Sequence, residues 1–218
     1  MSHDSHGYSK RTYVSPSRAA GARRTRHAIV SCAAELFAEH GYAGASVADI
    51  ARAAGVARPT VAAAFGSKAG LLKVVLDEAL AGDDEQVPVA QRAWFRPVWE
   101  AESGHGVLDA YADVCVLIGS RAARMFEVVR RAVDGNPAVA ELWQTLQANR
   151  YAGASMIVDR VEVLGHLRTG LDRATAVDAL WVLNDPALYD SLVLQRGWGQ
   201  AEFRDWLADL MKAQVVVR

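Results

Sequence analysis

The chain has 218 residues, 51% of them hydrophobic and 22% charged, with only 6 prolines. That is enough for one large or two small domains with a proper core, and it excludes wholesale disorder. The net charge of −1 hides an asymmetry: residues 1–68 hold nine Lys/Arg against four Asp/Glu, and residues 69–218 hold 15 against 21, so a basic head able to meet a polyanion precedes an acidic body.

Residues 1–20 mix Ser, Gly, Pro, His and basic residues without an apolar period and are expected to form a disordered arm. Their first six residues lack the charged-then-apolar layout of a secretion signal. Near Thr25 a helical period begins, with Ile29, Ala33, Leu36 and Phe37 on one face, and Gly41 suits the left-handed position past its end. Ser46 can cap the amide of Asp49 and start a short helix, Val47 to about Ala53. Ala54-Gly55-Val56 reads as a tight turn. Pro59, at home only in a first turn, sets the start of a third helix near Ala57-Arg58; that helix ends at Gly66. Ser67 then caps a fourth helix, Lys68 to about Leu80.

Beyond Asp83-Asp84-Glu85 the pattern predicts longer helices over about 88–102, 106–133, 137–164, 173–195 and 200–216, with Pro97 and Pro186 breaking or kinking theirs. No period-two alternation appears, so the expected class is all-α. No apolar run approaches the ~18 residues that cross a bilayer, so no membrane partner is expected. Cys32 and Cys115 have no zinc-ligand spacing and form no disulfide framework; with the missing secretion signal this points to the reducing cytoplasm.

Two short helices joined by Ala-Gly-Val, preceded by an apolar helix, make a helix-turn-helix. Ile50, Ala54, Val56, Val61 and Phe65 are its expected small core, leaving the third helix to project towards a DNA major groove about 12 Å wide. Arg58, Thr60, Lys68 and the arginines Arg23, Arg24 and Arg26 lie near that helix in sequence, so basic charge and projecting helix coincide.

The run "AAELFAEHGYAGASVADIARAAGVARPTVAAAFGSKAGLL" resembles the DNA-binding domain of the TetR (tetracycline-repressor) family of bacterial regulators. The resemblance is carried by Leu36-Phe37, Gly41-Tyr42, Ser46-Val47, Asp49-Ile50-Ala51, Ala54-Gly55-Val56, Thr60-Val61, Phe65, Ser67-Lys68 and Leu71-Leu72. It extends more loosely to the helical remainder, in the manner of actinobacterial members. It implies an all-α chain in which residues 21–68 form the helix-turn-helix head and residues 69–218 a larger effector-binding and dimerisation domain. It further implies a homodimer on a near-palindromic double-stranded DNA operator, usually a repressor released when a small molecule binds. Carried over residue by residue, Ser46 and Lys68 would meet phosphate, and Ala57, Arg58, Thr60 and Ala63 would lie on the recognition helix. Two departures stand out: Ala62-Ala63-Ala64 replaces the usual tyrosine and the histidine that often follows, and Ala57 replaces a frequent N-cap serine. The opposing expectation is a helical ligand-binding or interaction protein with a degenerate DNA-binding head.

In the body, Trp94, Trp99, Tyr111, Met125, Phe126, Trp143 and Tyr151 are together the expected lining of an apolar effector pocket between long helices; for any one of them core filling is the better explanation. Leu180, Trp181, Leu188 and Leu192, with Phe203, Trp206 and Leu210, form stripes suited to an intersubunit four-helix bundle. No G-x-S-x-G, H-E-x-x-H, Walker loop or G-x-G-x-x-G is present, so no enzyme, metal or cofactor is expected.

Overall fold

The computed structural model describes residues 16–217, and its secondary structure is helical apart from one isolated bridge between Leu167 and Val216. Of the expected arm, residues 1–15 lie outside the described residues. Residues 16–20 belong instead to helix α1 (Pro16–Gly44). That stretch runs on into Gly21-Ala22-Arg23-Arg24, and alanine and arginine favour helix whether or not an apolar stripe is present. Gly41 interrupts α1 with φ 69° and ψ 176°: the positive φ expected of a glycine there is present, but the extended ψ departs from the left-handed helical cap.

The head follows the sequence reading closely. Helix α2 (Val47–Ala53) is capped by Ser46, whose Oγ accepts from the Asp49 amide at 3.1 Å. Gly55 makes the turn at φ 66°. Helix α3 (Arg58–Phe65) has Pro59 in its first turn and no side-chain cap from Ala57. In α4 (Lys68–Ala81) the Ser67 Oγ accepts from the Gly70 amide at 3.0 Å.

The segment expected as one helix over 88–102 is instead two 3-10 turns, Val89–Gln91 and Ala93–Phe95, followed by the short α5 (Arg96–Glu100). Two side chains hold the chain in this folded-back course. Buried Arg92 donates to the carbonyls of Val87 and Glu85 and pairs with Asp83, and the Trp99 indole donates to the Ala90 carbonyl at 2.7 Å. The Ala90 carbonyl is one that a continuous 88–102 helix would have used, and the Arg92 bonds tie the segment back to the carbonyls that precede it.

The remaining helices are α6 (Gly104–Ala132), α7 (Pro137–Val163), α8 (Arg173–Leu183), α9 (Pro186–Tyr189) and α10 (Gln200–Val215). Ser103, Asn136, Asp172 and Asp185 cap α6 to α9 through their side chains. Pro186 does break the predicted 173–195 helix: α8 stops at Leu183, and α9 continues as a wider π-helical turn over Asp190–Gln195.

Two apolar cores result. One joins Ile29, Phe37, Ile50, Val61, Leu72 and Leu76 of the head and α4 to Met125, Phe126 and Val129 of α6 and Leu142 and Leu146 of α7. The other lies within the body, around Leu108, Ile157, Leu180, Phe203, Leu207 and Met211. The head is therefore packed directly against the half of α6 and α7 nearest it. Among the described residues no single helix is long and apolar enough to cross a membrane; α3 and α4 reach that length only together, bent by 67°.

Candidate functional site

In α3 only Val61 is buried (2% exposed), with Phe65 half-buried beside it. Ala57, Arg58, Pro59, Thr60, Ala62, Ala63 and Ala64 all face solvent. Val61 and Phe65 pack into the same core as Ile50, Ala54 and Val56, so the expected five-residue core forms and holds the helix out. The surface it offers is one cation, one hydroxyl and a band of methyl groups.

The flanking cations are positioned by aromatic rings. Lys68 Nζ lies 4.3 Å from the centroid of Tyr42, and the Arg26 guanidinium lies 4.7 Å from that of Phe65, both inside the range of cation–π attraction. Burial lowers the Lys68 ammonium below the ordinary lysine value. Tyr42, which the sequence supplied only as part of a motif, thus holds a phosphate-contact candidate. It stacks on Phe37 at 6.0 Å, and its hydroxyl lies 3.5 Å from Asn136 Nδ2 at the start of α7.

Ser46 is exposed, and its hydroxyl also donates to the Asp49 carboxylate at 2.5 Å. That bond, ahead of the nearby Arg52 charge, holds the Asp49 carboxyl below its usual range. Arg24 is exposed. Arg23, also exposed, approaches Asp84 at 3.8 Å, beyond the C-terminal end of α4 and so at the opposite end from Lys68.

The body contains a cavity of about 440 Å³ lined mainly by apolar side chains from α4, the 88–95 turns, α6, α7, the α8–α9 break and α10. Of the seven residues expected to line it, Tyr111 and Phe126 do. The other five do not, each for a definite reason. Met125 is buried in the head-side core and Trp143 packs against it. Trp99 is tied to Ala90, and Trp94 packs beside Phe95 under Arg121. Tyr151 points outward, 43% exposed, edge-on to Trp181. Helical spacing identifies apolar faces but does not say which of them borders a void.

The polar end of the cavity was not anticipated. Arg150 has only 9% of its side chain exposed; it pairs with Asp185 at 3.0 Å and donates to Asn184 Oδ1, Gln147 Oε1 and the Trp181 carbonyl. Asn184 Nδ2 in turn donates to the Tyr111 hydroxyl at 2.9 Å. Burial lowers the Arg150 guanidinium and raises the Tyr111 phenol, and it pushes the neighbouring Cys115 thiol up to about 12. The available signal was polar Asn184-Asp185 at a proline break inside an otherwise apolar helix.

Two of the expected dimer residues are corrected outright. Leu180 is fully buried in its own domain's core, and Phe203, 2% exposed, lines the cavity and meets Tyr189 edge-on. Trp181, Leu188, Leu192, Trp206 and Leu210 are half-buried, with Trp206 packed on Phe203 and Trp198. The more exposed apolar side chains in this part of the body are Tyr151 and Val163 on α7, Val182 (57% exposed) on α8 and Leu194.

Comparison with known proteins bears on both sites. Residues 29–75 match the family model described as bacterial regulatory proteins, tetR family. The HTH-type transcriptional repressor ComR of Escherichia coli is 44% identical over 52 residues, 24% of this chain and 25% of that one, so the match spans a quarter of the relative's length. NalD of Pseudomonas aeruginosa, the secondary repressor of the MexAB-OprM multidrug efflux pump, has the same fold over 89% of this chain and 98% of its own, with TM-score 0.68 and 22% identity. A putative transcriptional regulator from Saccharomonospora viridis, solved in complex with choline, does so over 90% and 100%, with TM-score 0.69 and 20% identity.

Proposed function

We propose that this chain, whose residues 29–75 match the model of the tetR family of bacterial regulatory proteins, is a member of that family and a cytoplasmic, dimeric, sequence-specific DNA-binding transcriptional regulator, a repressor released from its operator by a small molecule. Residues 21–68 are its DNA-binding head and residues 69–218 its effector-binding and dimerisation region. The observation that carries the reading is α3: every position of Ala57–Ala64 except Val61 is exposed, over a filled core, with Lys68 held beside them.

Arg58 would grip a guanine edge, worth about 1–3 kcal/mol of discrimination, and the Ala62-Ala63-Ala64 methyls would meet thymine methyls. Ser46 and Lys68, with Arg24 and Arg26, would contact phosphates, fixing register without reading sequence; Arg23, turned to Asp84 at the far end of α4, is not part of that set. The relatives named as repressors support the sign of regulation, and the choline complex of the Saccharomonospora protein supports a small-molecule ligand.

A release route is supported by packing. Helix α4 begins at Lys68, packs on α6 and supplies Asp77 and Leu80 to the cavity wall. A ligand that prefers one placement of α4 changes the presentation of the heads, and by linkage DNA weakens ligand binding by the same factor. For the dimer, exposed Tyr151 and Val182, with Trp181 between their helices, support a face on α7 and α8 in place of the stripe through Leu180 and Phe203.

One observation favours the opposing reading of a degenerate head: beyond Arg58 and Thr60, the exposed face of α3 carries no hydrogen-bonding side chain. Selection of bound sequences from a random duplex pool separates the two. Recovery of a palindrome with half-sites about 34–36 Å apart supports the regulator and its two-fold symmetry; absence of enrichment at low salt refutes it.

A further inference from the structure

The residues lining the cavity include three formal charges, Asp77, Arg150 and Asp185, and none is left over for a ligand. Asp77 is paired with Lys73 at 2.5 Å. Arg150 and Asp185 neutralise each other at 3.0 Å, and three of the four remaining guanidinium N–H groups are directed to Asn184, Gln147 and the Trp181 carbonyl. An incoming carboxylate would have to share a guanidinium already balanced by Asp185, and an incoming cation would have to compete with Arg150 or Lys73. At the buried end of the cavity, where Arg150 has 9% of its side chain exposed, a charge without its own counter-charge is strongly disfavoured.

The neutral polar group is different. The Tyr111 hydroxyl receives the Asn184 amide at 2.9 Å, so its oxygen is occupied, while its own proton has no acceptor among the described residues. Tyr111 lines the cavity with Val114, Ile118, Leu146 and Leu207. A buried donor without a partner is costly to leave unmade. Cys115, protonated at neutral pH through burial, offers no thiolate for covalent capture.

We propose that the effector is an uncharged, predominantly apolar molecule whose one hydrogen-bond-accepting oxygen takes the proton of the Tyr111 hydroxyl. This rests on the reading of the cavity as the effector site, and it assigns that site's ligand class. The Arg150–Asp185 pair acts as an internal counter-charge that closes the site to anions and cations alike.

The test uses the full chain without DNA and displacement of the uncharged dye Nile red by four probes of matched length: methyl octanoate, octanoate, octyltrimethylammonium and nonane. The ester is expected to displace dye at a concentration about ten-fold or more below either ion. Tyr111→Phe leaves Asn184 Nδ2 its second acceptor, the Arg150 carbonyl at 3.3 Å. It should weaken the ester about five- to ten-fold and leave nonane unchanged. Asp185→Asn, which retains an acceptor to cap α9, should raise octanoate affinity relative to the ester. The proposal is overturned if the ester fails to displace dye up to its solubility, if octanoate matches it on the parent protein, or if Tyr111→Phe weakens ester and nonane alike. Because no DNA is present, these outcomes are separate from the duplex selection: a protein that recovers a palindrome and fails here is a regulator with a different ligand class.

Discussion

In the head, the side chains offered to a partner come from one run, Ala57–Ala64, pushed into solvent by a filled core beneath it. In the body, the cavity lining comes from α4, the 88–95 turns, α6, α7, the α8–α9 break and α10, gathered around a space of about 440 Å³. A projecting surface needs only local geometry: a cap, a glycine turn, a proline in the first turn and two or three buried residues. A void needs several distant elements to fail to meet. The first tolerates little loss beneath it, and the second is forgiving at its wall.

Core and cavity should therefore respond differently to the same chemistry. Leu72 is fully buried in the core shared by head and body, and Leu72→Ala is expected to cost about 2–5 kcal/mol. Met156 lines the cavity and is 42% exposed; Met156→Ala should cost less than about 1 kcal/mol, since its packing is already incomplete on one side. Chemical denaturation of both variants checks the contrast. A shared core further requires Leu72→Ala to unfold in a single transition; separate head and body transitions would break the comparison.

Within the head, two cations can be told apart. Arg58→Ala should reduce binding to a selected duplex by about 1–3 kcal/mol while leaving affinity for unrelated DNA nearly unchanged. Lys68→Ala should weaken both and reduce the slope of log affinity against log salt by about 1. Gel-shift titrations over a salt series read both quantities. Equal loss on all sequences for Arg58→Ala would mean that α3 positions the protein without reading bases.

The cavity can be probed from behind. An added methyl at Gly119 on α6 would lie 2.6–2.8 Å from Cγ, Cδ2 and Cβ of Tyr189, near the ring's own backbone and so unable to swing clear. Gly119→Ala is expected to destabilise by about 1–3 kcal/mol, with α9 displaced. Tyr189 lines the cavity, so Nile red binding should change along with the melting temperature. An unaltered dye affinity would show that the wall near α9 is not part of the occupied space.

How much could be foreseen follows the same division. The caps at Ser46 and Ser67, the turns at Gly41 and Gly55, and the packing of Ile50, Val61 and half-buried Phe65 are legible because each follows from local spacing and turn chemistry. The cation–π seat of Lys68 on Tyr42 joins residues 26 positions apart in the numbering, and no periodicity records it. Trp94, Trp99, Met125, Trp143 and Tyr151 do not line the cavity while Tyr111 and Phe126 do, because helical spacing marks an apolar face without saying whether it meets a core, a void or solvent. Arg150, Asn184 and Asp185 escaped because a charged residue on a long helix ordinarily reads as a solvated face. Their burial depends on the α8–α9 break folding back over α7.

The missing cap on α3 is the smallest effect, and the local geometry makes it smaller than the residue change alone suggests. A serine N-cap normally serves the amides two and three positions on. Here the second position is Pro59, which has no amide hydrogen, and the third, Thr60, already donates to the Ala57 carbonyl at 2.9 Å. Ala57 holds the extended conformation of a cap, φ −74° and ψ 143°, so Ala57→Ser requires no backbone change and adds only a shared bond to Thr60. The expected gain is below about 0.5 kcal/mol, against a loss of roughly 0.5–2 kcal/mol for Ser67→Ala, where the cap bond to Gly70 is present. Denaturation midpoints of the two variants measure the difference. A gain from Ala57→Ser as large as the loss from Ser67→Ala would mean that the start of α3 is frayed in solution, and that DNA must order it before Arg58 can read a base.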